Sequence, residues 1–219
     1  MPRQPKSKGL FFTFEGGEGS GKSTQARLLQ TWLESQGVKT VLTREPGGTL
    51  IGGKIRELLL NHEAPISQRA ELLLYEADRA HHVATKILPA LARGEVVLCD
   101  RFADSSTVYQ GICRGLGEKA TQDLNAYATG GLVPHKVILI DMPAEEGIAR
   151  VRARQGKLDK MEREAMVFHK KVRAGFLKLA RRQPSRYVIL DGRKPIAELE
   201  QIIRSVAQKE LKRRGLWKP

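Results

Sequence analysis

Five short, almost unbroken apolar runs govern what this chain can fold into: Leu10–Glu15 (LFFTFE), Val38–Thr43 (VKTVLT), Val96–Asp100 (VVLCD), Val137–Asp141 (VILID) and Tyr187–Asp191 (YVILD). A strand with one wet face alternates apolar and polar residues, whereas a run without alternation is covered on both faces, as parallel strands are. Amphipathic helical patterns lie between these runs, at Ser23–Gln36, Thr49–Asn61, Ser67–Arg93 and Ile196–Leu211. Strand–helix alternation from end to end predicts a doubly wound α/β domain, a five-stranded parallel sheet with helices on both faces. Three of the five runs end in Asp and one in Glu. Ligands of open α/β sheets bind beyond the carboxyl ends of the strands, so these acids gather on one rim. At 219 residues the chain suits one domain. We expect it to span residues 10–208, between basic tails at 1–9 and 209–219.

The first strand runs into Gly16-Gly17-Glu18-Gly19-Ser20-Gly21-Lys22-Ser23, which fits G-x-x-x-x-G-K-[ST] and opens directly onto a helical pattern. That context separates a phosphate-binding loop from a mere glycine-rich turn. Glycines let successive backbone N–H groups converge on phosphate oxygens, and the helix adds the positive end of its dipole. Lys22 can reach the β- and γ-phosphates, and the Ser23 hydroxyl can ligate Mg²⁺. The loop predicts a nucleoside triphosphate ligand without naming a reaction. No N-K-x-D guanine-reading motif follows. A translocating ATPase usually has an apolar strand ending in Asp-Glu, whereas here the third strand ends Asp100-Arg101. Asp100 can share the Mg²⁺ shell with Ser23, while Arg101 in place of a catalytic Glu favours transfer to a bound acceptor over hydrolysis.

The charge narrows the class of partner. The chain carries a formal +14, but residues 150–186 hold 13 Lys/Arg against 3 Asp/Glu, residues 1–8 add three cations, and residues 209–219 add five against Glu210. The remainder is slightly acidic. Such blocks suit a grip on nucleic acid, or equally a basic lobe over a small polyphosphate with two solvated tails. No residue specific to a nucleic-acid motor is present, so a nucleic-acid partner is not expected. At 41% hydrophobic residues wholesale disorder is excluded, and no apolar run approaches a membrane span. The basic N-terminus lacks the apolar stretch of a signal peptide. Two cysteines, Cys99 and Cys113, make no disulfide framework and suit a reducing cytoplasm.

Four further segments occur in order: Thr43–Thr49 (TREPGGT), Leu72–Arg79 (LLLYEADR), Asp100–Gly111 (DRFADSSTVYQG) and Leu158–Glu162 (LDKME). With the phosphate loop, they make the sequence resemble the bacterial thymidylate kinases from about Leu10 to Ile203. The resemblance implies the P-loop kinase fold, a homodimer built on long helices, and transfer of the γ-phosphoryl group of ATP to dTMP with Mg²⁺, giving dTDP for dTTP synthesis.

The resemblance also assigns residues. It makes Arg44 a ligand of the acceptor monophosphate; on local sequence alone Arg44 could be a solvated residue at a helix start. It places Tyr75, where Phe is usual, on the stacking face of thymine and Arg79 at the base edge. By spacing alone that pair is also a core tyrosine beside a surface arginine. It makes Arg101 the bridge between acceptor and donor phosphates, sets Ser106 against the thymine ring and has Tyr109 crowd the sugar 2′ position. Gln110, the next residue, could contact the base, although a run such as SSTVYQG also reads as a plain polar helix start. Glu18 lies against the acceptor sugar's 3′-hydroxyl. One subgroup carries an arginine next to that carboxylate, whereas here the neighbour is Gly19. The missing cation is expected from a basic lid at about residues 150–162, with Gly156 as its flexible point. Family members often carry Asp-Arg before the lid glutamate; this chain has Asp159-Lys160-Met161-Glu162. Lysine makes no bidentate fork, which leaves Arg154 or Arg150 as the catalytic lid residue. Glu15 is expected to support the loop backbone or Mg²⁺ water.

Overall fold

A computed structural model describes residues 8–61, 65–154 and 158–217. The expected N-terminal tail up to Ser7, Gly156 and Lys157 of the lid, and Lys218 lie outside the described residues. Strands β1 (Leu10–Glu15), β2 (Thr40–Arg44), β3 (Val96–Asp100), β4 (Lys136–Asp141) and β5 (Tyr187–Asp191) form one parallel sheet in the order β2-β3-β1-β4-β5. From β1 the chain passes to the edge strand β2, returns to β3 beside β1, and then crosses to β4 and β5 on the other side. The winding therefore reverses beside β1, where the phosphate loop begins.

Alternation along each strand sorts the apolar side chains into two layers. Leu10, Phe12 and Phe14 of β1, Val96 and Leu98 of β3, and Ile138 and Ile140 of β4 pack on one face. They meet helix α1 (Lys22–Ser35) and the last helix, α9 (Ile196–Arg213). On the other face Phe11, Val97 and Cys99 meet Val83, Ile87 and Leu91. Val137 and Leu139 meet Val172, Phe176 and Leu179 of helix α8 (Met166–Arg182). Helices cover both faces, which is why the runs read as continuously apolar.

Three boundaries differ from expectation. Val38 N–H donates to Leu33 O (3.0 Å), closing the end of α1, so β2 starts later and has Arg44 as its last residue. The stretch Ser67–Arg93 is one rod with a change of register: α3 (Gln68–His82), a π segment (Val83–Ile87) and α4 (Leu88–Ala92). Pro89 has no N–H to donate and its ring would crowd the carbonyl four residues back; the wider turn, with Leu88 N–H on Val83 O, accommodates it. Residues 209–217 are not a solvated tail. α9 continues to Arg213, Leu211 is fully buried, and Trp217 stacks on Trp32 of α1 at 5.5 Å, because Leu211, Leu216 and Trp217 supply apolar surface to the core.

Four more helices complete the domain: α2 (Leu50–Leu60), the short α5 (Ala103–Ser106) leading into a π segment (Thr107–Cys113), α6 (Glu118–Thr129) and α7 (Ala144–Ala153). Among the described residues no helix is long and apolar enough to cross a membrane.

Candidate active site

The phosphate loop leaves β1 and ends where α1 starts. Gly19 and Gly21 are left-handed (φ 68° and 95°), the region that favours glycine. At Gly19 there is a second constraint, since a Cβ would stand 2.0 Å from the carbonyl oxygen of Gly147 in α7. Gly21 caps α1 without a side-chain hydrogen bond, so no side chain competes for the helix's first N–H groups. Lys22 is buried, its ammonium donating to Gly17 O (2.7 Å) and Ser20 Oγ (3.3 Å). Burial, then the nearby Arg101 guanidinium, pull its pKa down to about 8 against the opposing pull of Glu18 and Asp100. The Ser23 hydroxyl donates to the Asp100 carboxylate, which brings two hard oxygen donors together.

Arg101 joins the loop to the next wall. It is the only non-glycine residue with positive φ (67°) among the described residues, a conformation that costs about 1 kcal/mol or more and that its neighbours hold in place. Its N–H donates to Phe14 O (3.0 Å). Its guanidinium donates to Gly16 O (3.1 Å), Ser105 Oγ (3.3 Å) and Glu18 Oε1 (2.7 Å) and lies 5.1 Å from the Tyr109 ring centroid. Glu18 Oε1 also accepts from the Tyr109 hydroxyl (2.8 Å). Burial alone would raise the Glu18 pKa; Arg101, Lys22 and the tyrosine hydroxyl outweigh it and hold the carboxyl near 2, hence ionised.

Glu15 departs from its expected role. Its oxygens accept from Phe102 N–H (2.8 Å) and the Ser105 hydroxyl (2.6 Å), so it braces the segment after Arg101 rather than the phosphate loop. The β pleat explains this: Glu15 shares the face of Phe11 and Thr13, opposite α1. Burial, then Asp104, push its pKa up to about 8.

A cavity of about 520 Å³ runs from the loop to a second wall. Glu18, Gly19, Ser20, Gly21, Lys22 and Ser23 line it from the loop; Arg44, Tyr75, Arg79, Ser106, Tyr109 and Gln110 line it from β2, α3 and the segment after β3; Asp100, Arg101, Arg150 and Arg154 line it too. Gly16 and Gly17 are not lining residues, but their carbonyls hold Arg101 and Lys22. Arg44 is exposed at the end of β2, and Tyr75 is half-buried on α3. Arg79, on the same helix, also lines the cavity. It is buried, with Nε on Glu45 (2.8 Å) and Nη1 on Glu76 (2.7 Å) and Asn125 (2.6 Å), leaving Nη2 without a protein partner among the described contacts. Glu45 also meets His82 Nδ1 (2.9 Å), whose Nε2 meets Thr43 Oγ1 (2.7 Å), so that histidine is a buried strut. No group of three or more His, Cys, Asp or Glu residues suited to a metal occurs among the described residues.

In the lid, Arg150 donates to Gly192 O (3.2 Å) and Arg154 pairs with Glu162. Asp159 and Glu162 cap each other, Asp159 N–H donating to Glu162 Oε2 (3.0 Å) and Glu162 N–H to Asp159 Oδ1 (2.9 Å). Lys160 donates to Glu71 Oε2 of α3 (2.7 Å). Glu45, Glu71, Glu76 and Asn125 were not singled out from sequence. Glu45 and Glu76 sat inside motifs whose other residues drew the reading, while Glu71 and Asn125 lie outside the motifs and tens of residues from partners they hold.

Residues 14–203 match the profile of the Thymidylate kinase family. The chain belongs to the thymidylate kinase family. It is 48% identical over 196 residues to a thymidylate kinase of Leifsonia xyli subsp. xyli, covering 90% of this chain and 93% of the relative. It is 48% identical over 192 residues to that of Carboxydothermus hydrogenoformans (88% and 93%). It is 45% identical over 204 residues to that of Thermoanaerobacter sp. (93% and 100%). For a member of this family, Gly19 beside the loop carboxylate has a steric reason: any side chain there collides with α7.

Proposed function

We propose that the chain transfers the γ-phosphoryl group of ATP to the 5′-phosphate of dTMP, giving ADP and dTDP. The observation that carries this is the position of Arg101, bonded to both Gly16 and Glu18 of the phosphate loop and stacked on Tyr109 of the opposite wall. One cavity thus presents a triphosphate cradle, an arginine at the joint, and a wall with Arg44, Tyr75 and Gln110. An acceptor phosphate oxygen attacks the γ-phosphorus, the bond to the β–γ bridging oxygen breaks, and its electron pair leaves on ADP. The attacking phosphate is already ionised, so no general base is needed. Lys22, Arg101 and a lid arginine, Arg154 or Arg150, neutralise the oxygens across which charge spreads. Arg44 holds the acceptor phosphate, Tyr75 stacks on the base, and Arg79 Nη2, Ser106 and Gln110 address its edge. Glu18, held ionised, faces the sugar 3′-hydroxyl, with Tyr109 beside it crowding a 2′-hydroxyl.

Ser23 Oγ and the Asp100 carboxylate fit Mg²⁺, which takes one or two protein oxygens and completes its shell with phosphates and water. When bound, the ion supplies charge neutralisation on the phosphates. We assign the protein to the cytoplasm, a setting that free Cys99 and Cys113 suit. We further propose a homodimer through α2, α3 and α6, where Leu50, Leu58, Leu73 and Tyr127 stand exposed. Steady-state rates with dTMP, dUMP, UMP, CMP and AMP, with and without DNA, test the assignment. Preference for dTMP and indifference to DNA are expected; preference for AMP or CMP, or DNA-stimulated hydrolysis, overturns it.

A further inference from the structure

Glu71 is a buried carboxylate that the phosphoryl-transfer scheme leaves without a task. Its Oε1 accepts from Gln110 Nε2 (3.0 Å) and its Oε2 from Lys160 Nζ (2.7 Å), with Arg114 Nε 3.5 Å away. Its side chain is 2% exposed. Burial opposes its charge, but Lys160, Gln110 and Arg114 together lower its pKa, so the carboxylate stays ionised and can only accept. The amide orientation of Gln110 is therefore forced. Its NH₂ group must face Glu71, and its carbonyl oxygen, which takes no hydrogen bond among the described contacts, is the end left for the cavity that Gln110 lines.

We propose that Glu71 is a positioning residue for base selection: by fixing Gln110 with its carbonyl toward the acceptor pocket, it favours a pyrimidine carrying a ring N3–H (thymine) over one carrying an N3 lone pair (cytosine). A carbonyl oxygen accepts from the thymine imide. Against cytosine it sets lone pair against lone pair in a buried site, the mismatch that discriminates most strongly. The proposal rests on the acceptor being dTMP.

The same carboxylate holds the lid. Lys160 N–H donates to Leu60 O (3.2 Å) while its ammonium reaches Glu71, and Arg114 joins Glu164 (2.5 Å). The two jobs of Glu71 are separable by mutation. Glu71→Gln gives a side chain that can donate as well as accept, which frees the Gln110 amide to turn over. Lys160→Met removes the tie to the lid and keeps the obligate acceptor.

The test is the ratio of kcat/KM for dTMP to that for dCMP, with thermal unfolding as the check on folding. Glu71→Gln is expected to lower the ratio about tenfold, the effect of one misdirected hydrogen bond. Lys160→Met is expected to change kcat and leave the ratio in place. The exchange Glu71→Gln with Gln110→Glu presents an oxygen-only group to the base and is expected to restore the preference; it carries the test alone if Glu71→Gln does not fold. An unchanged ratio in folded Glu71→Gln, an equal loss in Lys160→Met, or no preference in the exchange overturns the proposal. A wild-type enzyme that does not phosphorylate dTMP overturns the assigned activity instead.

Discussion

Gly147→Ala puts a methyl group where α7 meets the phosphate loop. A Cβ at Gly147 would lie 2.3 Å from the carbonyl oxygen of Glu18, and ordinary contact begins near 3.4 Å, so the two backbones must part by about 1 Å. Neither side can rotate away, because the obstacle is main chain on a loop that also carries Lys22. Two effects oppose each other. Alanine in a helix gains about 0.5–1 kcal/mol over glycine. Overpacking costs about 1–3 kcal/mol, and here it falls on a rigid contact, so net destabilisation of about 1 kcal/mol is expected. The kinetic effect is larger. Either α7 moves, displacing Arg150 and Arg154, or Glu18 moves from its place under Arg101 and Tyr109. A 1 Å misplacement of catalytic groups costs about a hundredfold in rate. Gly53→Ala in α2 is the control, since a Cβ there meets nothing within 4 Å and only the helix gain remains. Thermal unfolding and kcat are measured for both. Gly147→Ala with a raised melting temperature and unchanged kcat, like Gly53→Ala, would refute the close-approach argument.

Three other outcomes follow. Arg101→Lys is expected to lower kcat about a hundredfold, because one ammonium cannot hold Gly16 O, Ser105 Oγ and Glu18 at once; steady-state kinetics with saturating ATP checks it. His135 Nδ1 accepts from Phe11 N–H (2.9 Å) at the start of β1, and burial, then Arg214, pull its pKa down to about 4. Unfolded chains protonate this histidine below about pH 6.5 while the folded one does not, so stability present at pH 7 is lost as pH falls toward 4. His135→Asn, which keeps an acceptor and does not titrate, should flatten the fall in melting temperature between pH 7 and 5; an unchanged slope counts against it. Leu73→Glu is expected to convert a dimer into a folded monomer by light scattering, and a monomeric wild type contradicts the dimer.

What the sequence disclosed and what it hid divide along physical lines. β1, β3 and β5 were legible to the residue because burial on both faces writes itself as continuous apolarity, and the loop was legible because phosphate geometry demands glycines at fixed spacing. The Val38 end of β2 was misplaced because valine reads as strand even when its N–H closes a helix. The register change at Pro89 left no periodic signature, since both stretches remain helical. In the site, Ser23, Lys22 and Arg101 announced themselves by motif. Glu71 did not, because its meaning comes from Gln110 and Lys160, 39 and 89 residues away, and a glutamate in a helix reads as solvent-facing. The tie between Lys160 and Glu71 also gives a place to a lysine in the basic lid segment that sequence alone left without a role.

The central claim is that the cavity transfers a phosphoryl group between two bound nucleotides and does not release it to water. Following ATP and dTMP by ³¹P NMR with catalytic enzyme and Mg²⁺ tests this directly. The account predicts ADP and dTDP appearing in equal amounts with no growth of the inorganic phosphate signal. Inorganic phosphate rising with ADP while dTMP persists would contradict it.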